Sequence, residues 1–199
     1  MNMADFEDDT YIDRLQDIRK EEDNLLDRLI AERKFLAENF KIDPLTGLYN
    51  KRILSKVRDF GTVIMFDVDD FKKVNDTFGH PGGDIALRAV GQAILNNIRV
   101  GDIGCRFGGD EFLIIFTTDI FEVIDARIKK IEMDANNLIN IPGMHITLSV
   151  GVAFNEDKEK IDSMISKADA ALYQSKNNGK NQTTYYKEGM VLNRKKEEN

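Results

Sequence analysis

"RFGGDEF", residues Arg106 to Phe112, decides how the chain is read. Two glycines are followed by two adjacent carboxylates, which lead straight into the apolar run Phe112 to Phe116. Gly108 and Gly109 suit a tight turn and leave room for a ligand to approach the backbone. The spacing predicts a hairpin in which the Val100–Phe107 region pairs with a buried strand over Glu111–Thr117. An isolated Gly-Gly-Asp turn with a solvated acid is common, so the meaning of this one rests on what surrounds it.

The surroundings begin at "TVIMFDV", Thr62 to Val68, a second short run of β-branched and apolar residues. "FDVDDFKKVNDTFGH" then starts where this strand stops. Asp67 sits at the strand's carboxyl end, where ligands collect in α/β sheets. The chain turns into a helix, so the backbone N–H groups of Asp70 and Phe71 face outward as an anion site, with Lys72 beside them. Asp67, Asp69 and Asp70 repel a phosphate unless a divalent cation lies between, and Mg²⁺ is held by one or two carboxylates plus phosphate oxygens. The plainer alternative is that these acids only cap a helix.

Periodicity fills in the rest. Short helices are expected over Asp70–Phe78 and Asp84–Ile98, and longer ones over Phe121–Asn140 and Ile161–Lys176. Strands are expected over His145–Phe154 and, at an edge, Thr183–Tyr186. Strands separated by helices predict an α/β (α+β sandwich) domain with one layered sheet, and the hairpin makes that sheet partly antiparallel.

Residues 13–39 contain no Gly or Pro, and Tyr11, Leu15, Ile18, Leu25, Leu29 and Leu36 follow a seven-residue repeat interrupted by Glu22 and Glu32. This reads as a long amphipathic helix that Pro44 ends. It is either docked on its own domain or part of a short parallel coiled coil that pairs two chains. The divisions expected are 1–41 for this helix, 42–187 for the main domain and 188–199 for a charged tail.

The chain has 199 residues, enough for one full core and an appendage. A net charge of −7 argues against binding a nucleic-acid polymer. One cysteine, Cys105, excludes an internal disulfide and fits a reducing compartment; two histidines exclude a His-rich metal site. No apolar run approaches the ~20 residues needed to span a bilayer. The acidic start "MNMADFEDDTYID" lacks the basic and apolar regions of a signal peptide. A cytoplasmic, soluble chain with no membrane segment is expected.

"DPLTGLYNKR" (43–52), "FDVDDFKKVNDTFGHPGGD" (66–84), "RFGGDEF", "LSVGVA" (148–153) and "ADAALYQSKNNGKN" (168–181) occur in that order. Together they closely resemble the GGDEF-domain diguanylate cyclases over residues 42–186. The resemblance implies a palm-like, ferredoxin-type nucleotidyl cyclase fold with a central mixed sheet flanked by helices. It also implies condensation of two GTP into cyclic di-GMP with release of pyrophosphate, using Mg²⁺ or Mn²⁺. Carried over by motif, the metal ligands are Asp67, the Val68 carbonyl and Asp110, with Glu111 as a further acid. Asn75 and Asp84 read the guanine edge. The backbone at Asp70 and Phe71, with Lys72, Lys176 and Lys180, meets the phosphates. Lys180 replaces the family's usual Arg and loses its fork geometry. Asp70 departs from the aromatic or His often found there. Read without the family, Lys176 and Lys180 are a helix C-terminal charge pair, and Asn75 is a solvated helix residue.

The implied mechanism places one GTP on each of two facing domains of a homodimer, with Asp110 or Glu111 taking the 3′-OH proton and Lys72 among the catalytic residues. Arg99 and Asp102 match the family's RxxD product-inhibition site in type and distance; the alternative is a helix-terminal Arg followed by a turn Asp. Rival readings are a silent domain that binds GTP or cyclic di-GMP as a receptor, a maker of a different cyclic dinucleotide, and a dimerisation module with a vestigial pocket.

Overall fold

The computed structural model describes residues 14–16, 18–31 and 42–190. Two compact units divide the chain, Met1–Phe40 and Lys41–Asn199. In the first, residues 14–16 and 18–31 are helical (α1). Leu15, Ile18, Leu25 and Leu29 are each about half exposed, and so are Leu26 and Ile30, so the apolar stripe is broader than the seven-residue repeat suggests. Tyr11, Glu32 and Leu36 of the expected helix lie outside the described residues, as do 191–199 of the charged tail.

The second unit is built on a six-stranded sheet in the order β1-β3-β4-β2-β5-β6. The strands are β1 (Tyr49–Asn50), β2 (Thr62–Val68), β3 (Ile103–Arg106), β4 (Glu111–Phe116), β5 (Leu148–Phe154) and β6 (Gln182–Tyr185). β1 runs parallel to β3 and β6 parallel to β5, while the four inner strands alternate antiparallel. This is the expected mixed sheet flanked by helices. β3 and β4 form the expected hairpin across "FGGD". β1, which pairs Tyr49 with Cys105, was not anticipated; two residues are too short to carry a period-2 signal.

Every residue of β2 is buried, because both faces of the sheet are covered. Ile64, Phe66 and Val68 point to one core, completed by α2 (Phe71–Asn97) and α3 (Phe121–Leu138). Val63 and Met65 point to the other, with Leu113, Ile115 and Ala153 beneath α4 (Ile161–Asn177). On α3 the inward residues are Ile124, Ile128, Ile131 and Ala135, and on α4 Met164, Ala168 and Leu172, each at helical spacing. A six-residue 3₁₀ segment, Lys51–Lys56, follows β1.

The two helices expected around "FGHPGG" are both present and follow one another as the two arms of α2, separated at Gly79, whose φ of 73° and ψ of 168° leave the helical region before Pro81 starts the second arm. One strand boundary is corrected. β5 begins at Leu148 rather than His145, since β2 ends at Val68, the residue paired with Leu148, and offers no partner beyond it. No helix among the described residues is long and apolar enough to cross a membrane.

Candidate active site

The strand pattern itself assembles the acids. Side chains alternate along a strand, so Asp67 shares its face with Val63 and Met65, the face covered by α4. Antiparallel register sets Glu111, the first residue of β4, directly opposite Asp67, and Ser149 of β5 on its other flank. On α4 the buried stripe Met164, Ala168, Leu172 advances four residues at a time, and the next step is Lys176. There the helix overruns the sheet, and Lys176 Nζ reaches Asp67 Oδ2 at 2.6 Å.

Asp67 is 6% exposed. Burial pushes its carboxyl up to about 6, with Asp110 and Glu111 adding to the rise and Lys176 opposing it. The buried acid therefore binds a proton more readily than usual while it lacks a stronger cation.

The GGDE turn is fastened to this strand end. The Val68 N–H donates to the Asp110 carbonyl at 3.2 Å. Phe107 and Gly108 N–H groups both donate to the Glu111 carbonyl, at 2.8 and 3.1 Å. Arg106 grips the turn from behind, donating from Nε and Nη2 to the Gly109 carbonyl at 3.1 and 2.6 Å, while its Nη1 pairs with Asp43 at 3.3 Å. Neither turn glycine takes a positive φ. A Cβ at Gly108 would lie 2.6 Å from Glu111 Oε2, while Gly109 faces open space.

At the start of α2, Asp70 is left-handed (φ 51°, ψ 35°) and its side chain makes no capping bond, against the plain helix-cap reading. Its carboxylate instead meets Lys180 Nζ at 2.5 Å, which holds Asp70 below the usual carboxylate range and raises the lysine. The Val74 N–H bonds back to the Asp70 carbonyl, so the N–H groups of Phe71, Lys72 and Lys73 precede the first intrahelical bond.

These groups border one cleft of about 840 Å³. Asp67, Val68, Asp70, Phe71 and Lys72 line it from β2 and α2, Asp110 and Glu111 from the turn, and Lys176 and Lys180 from the end of α4. Asp169, Tyr173 and Asn177 line it too, and the sequence reading missed them. Asp169, Tyr173 and Lys176 fall at i, i+4 and i+7, one helix face, a signal available once Lys176 is singled out.

Asn75, Asp84, Gly108 and Gly109 do not border this cleft. Asn75 and Asp84 sit on either side of the α2 bend; Asp84 is exposed and Asn75 half-buried against Gly83. Arg99 and Asp102 precede β3, at the opposite end of that strand from the GGDE turn. Arg99 is exposed, and Asp102 holds its own turn, accepting from Arg99 N at 2.9 Å and from Thr117 N and Oγ1 at 3.0 and 3.1 Å.

Among the described residues no group of three or more His, Cys, Asp and Glu forms a metal cage. The donors at the sheet end are all oxygen, and Asp110 and Glu111 lie near enough to raise Asp67. That donor set fits a hard divalent cation completed by phosphate oxygens.

The family model for "Diguanylate cyclase, GGDEF domain" matches residues 40–182. The chain is 33% identical over 147 residues to diguanylate cyclase A of Treponema denticola, covering 72% of this chain and 40% of that protein. It is 35% identical over 164 residues to diguanylate cyclase DosC of Escherichia coli, covering 73% of this chain and 35% of that one. The chain thus spans well under half the length of these relatives. Among solved structures, the coiled coil and GGDEF domain of DgcB from Caulobacter crescentus, in complex with c-di-GMP, superimposes with a TM-score of 0.67 at 26% identity, covering 86% of this chain and 98% of that one.

Proposed function

The chain belongs to the GGDEF-domain family of diguanylate cyclases, and from that premise we propose that it joins two GTP molecules into cyclic di-GMP and releases pyrophosphate. The observation that carries the proposal is the pairing of Asp67 with Glu111 across neighbouring strand ends, beside Asp110, Lys176 and the open start of α2.

Asp67, the Val68 carbonyl and Asp110, with Glu111 adjacent, are the groups to hold Mg²⁺ or Mn²⁺. A bound divalent cation lowers the pKa of the attacking ribose hydroxyl and screens charge on the triphosphate. The N–H groups at the start of α2, with Lys72, Lys176 and Lys180, receive phosphate oxygens and stabilise the charge that builds on the leaving pyrophosphate. Lys176 and Lys180 rest on Asp67 and Asp70 in the free protein and exchange those partners for the nucleotide. Asn75 and Asp84 read guanine, the carboxylate accepting from N1–H and N2–H. Glu111 or Asp110 takes the 3′-OH proton. In each half-reaction a bond forms from O3′ to the α-phosphorus and the bond to the β-phosphate bridge breaks.

Each domain holds one GTP, so two must face each other. α1 serves this by pairing chains through Leu15, Ile18, Leu25 and Leu29, whose exposure in a single chain supports the assignment. Product returns to Arg99, whose guanidinium stacks on guanine and grips phosphate, while Asp102 fixes the Arg99 turn and offers an acceptor. The c-di-GMP bound to the GGDEF domain of DgcB supports product binding by this fold.

Incubation with GTP and Mg²⁺ followed by chromatography tests the proposal. Cyclic di-GMP is the expected product. Binding of GTP or cyclic di-GMP without turnover, or a different dinucleotide, contradicts it.

A further inference from the structure

Asp69 borders the same cleft between Val68 and Asp70, but its carboxylate oxygens are already taken up by the protein. It is 6% exposed. Its Oδ1 accepts from Ser149 Oγ at 2.6 Å, and its Oδ2 accepts from Thr147 Oγ1 at 2.7 Å and from the Asn181 N–H at 2.9 Å. Its own N–H donates to the Thr147 carbonyl at 3.0 Å. A buried carboxylate is costly unless its lone pairs are satisfied, and here three donors from two distant segments satisfy them.

The Asn181 bond has a further consequence. α4 ends in a Schellman motif, with Lys180 N–H donating to the Ser175 carbonyl at 3.0 Å and Gly179 N–H to the Lys176 carbonyl at 3.4 Å. Such a motif needs one left-handed residue, and Gly179 provides it at φ 109°. The chain nevertheless stays left-handed for two more residues, Lys180 at φ 65° and Asn181 at φ 48°. L-residues avoid that region, and consecutive ones persist only where surrounding contacts impose it. Two contacts hold it there, the Asn181 N–H on the buried Asp69 carboxylate and Gln182 Nε2 on the Lys180 carbonyl, and of these only the Asp69 bond reaches outside the segment that follows α4. It bends the chain back so that Lys180 Nζ crosses to Asp70, at the start of α2, before β6 begins at Gln182 opposite Ser149.

We infer that Asp69 is a positioning residue: it locks the Lys180–Asn181 backbone in its left-handed course and so presents Lys180 to the phosphates. The inference rests on the reading of the cleft as a triphosphate site. It assigns Asp69 no ligand of its own.

The test uses the full chain and measures kcat and KM for GTP at saturating Mg²⁺, with thermal melts alongside. Wild-type turnover is recorded first, since its absence refutes the proposed function rather than this inference. Asp69→Ala raises KM roughly tenfold, the scale of one lost charge-assisted phosphate contact, with a smaller change in kcat. Asp69→Asn keeps an acceptor for the Asn181 N–H, because the Ser149 hydroxyl can rotate to accept from the new amide, and returns KM to near the wild-type value. In a Lys180→Ala background, Asp69→Ala raises KM no further. An unchanged KM in a folded Asp69→Ala protein, or a rise that adds in full to that of Lys180→Ala, overturns the assignment. Should Asp69→Ala not fold, Asp69→Ser is measured in its place, because the shorter side chain fills part of the space without reaching Asn181. If both unfold, Asp69 is a keystone of the fold and the positioning role is withdrawn.

Discussion

Gly83→Ala separates recognition from stability within one side chain. Gly83 lies in the second arm of α2, buried, immediately before Asp84. A Cβ built there stands 2.0 Å from Asn75 Oδ1 and 3.1 Å from Phe71 Cζ. The closer contact is with the tip of a flexible side chain, so the Asn75 amide swings away and the backbone stays. Replacing a helical glycine by alanine favours the helix by about 0.5–1 kcal/mol, which offsets the crowding at Phe71, so the melting temperature changes little. Guanine then loses the Asn75 contact, and a base edge left unpaired costs about 1–3 kcal/mol. At 1.4 kcal/mol per factor of ten, GTP affinity falls by roughly 5- to 150-fold. Displacement of a fluorescent GTP analogue, with ATP as the competing purine, reads both the affinity and the loss of preference. Asn75→Ala gives a similar loss, and the double variant is no worse than either single one. Binding of GTP by folded Gly83→Ala within about twofold of wild type would refute the assignment of Asn75 to guanine.

Arg99→Ala leaves initial rates near wild type and removes inhibition by added cyclic di-GMP; superimposable inhibition curves contradict the product site. A chain starting near Ile42 still binds GTP, because the pocket residues all lie downstream, but its specific activity falls on dilution and recovers as concentration rises. Equal activity per protomer at every dilution excludes α1 as a dimeriser. The third expectation concerns pH. A protonated Asp67 is no ligand, and burial pushes that carboxyl up to about 6, so native Asp67 carries its proton at pH 5 and has lost it at pH 7.5. Mg²⁺ affinity in the presence of GTP is therefore full near pH 7.5 and already reduced around pH 6, and it declines below that by roughly tenfold per pH unit for one proton displaced. Calorimetry showing a flat affinity from pH 5 to 7.5 contradicts Asp67 as ligand.

Much of the site was legible because two short periods fix it. Alternation along "TVIMFDV" puts Asp67 on the face of Val63 and Met65, and the stripe Met164, Ala168, Leu172 leads to Lys176. The hairpin across "FGGD" was legible from its glycines and the apolar run beyond them, and Gly108 lies beside the tip of the Glu111 side chain. What stayed hidden depends on contacts remote in sequence. Asp69 meets Ser149 across 80 residues and Asn181 across 112, and neither partner carries a local signal of it. The resting pairs Lys176–Asp67 and Lys180–Asp70 are invisible for the same reason. The break between the two arms of α2, by contrast, was legible: Gly79 leaves the helical region and Pro81 fits the first turn of the arm that follows.

The central claim is that the acids at the β2 and β4 ends catalyse formation of cyclic di-GMP. Its most direct test is the stoichiometry of the reaction in wild type and Asp110→Ala, matched for melting temperature, with α-labelled GTP and Mg²⁺. Wild type is expected to convert two GTP into one cyclic di-GMP and two pyrophosphates, and Asp110→Ala to keep its fold and yield no product. Turnover by Asp110→Ala close to that of wild type would contradict it.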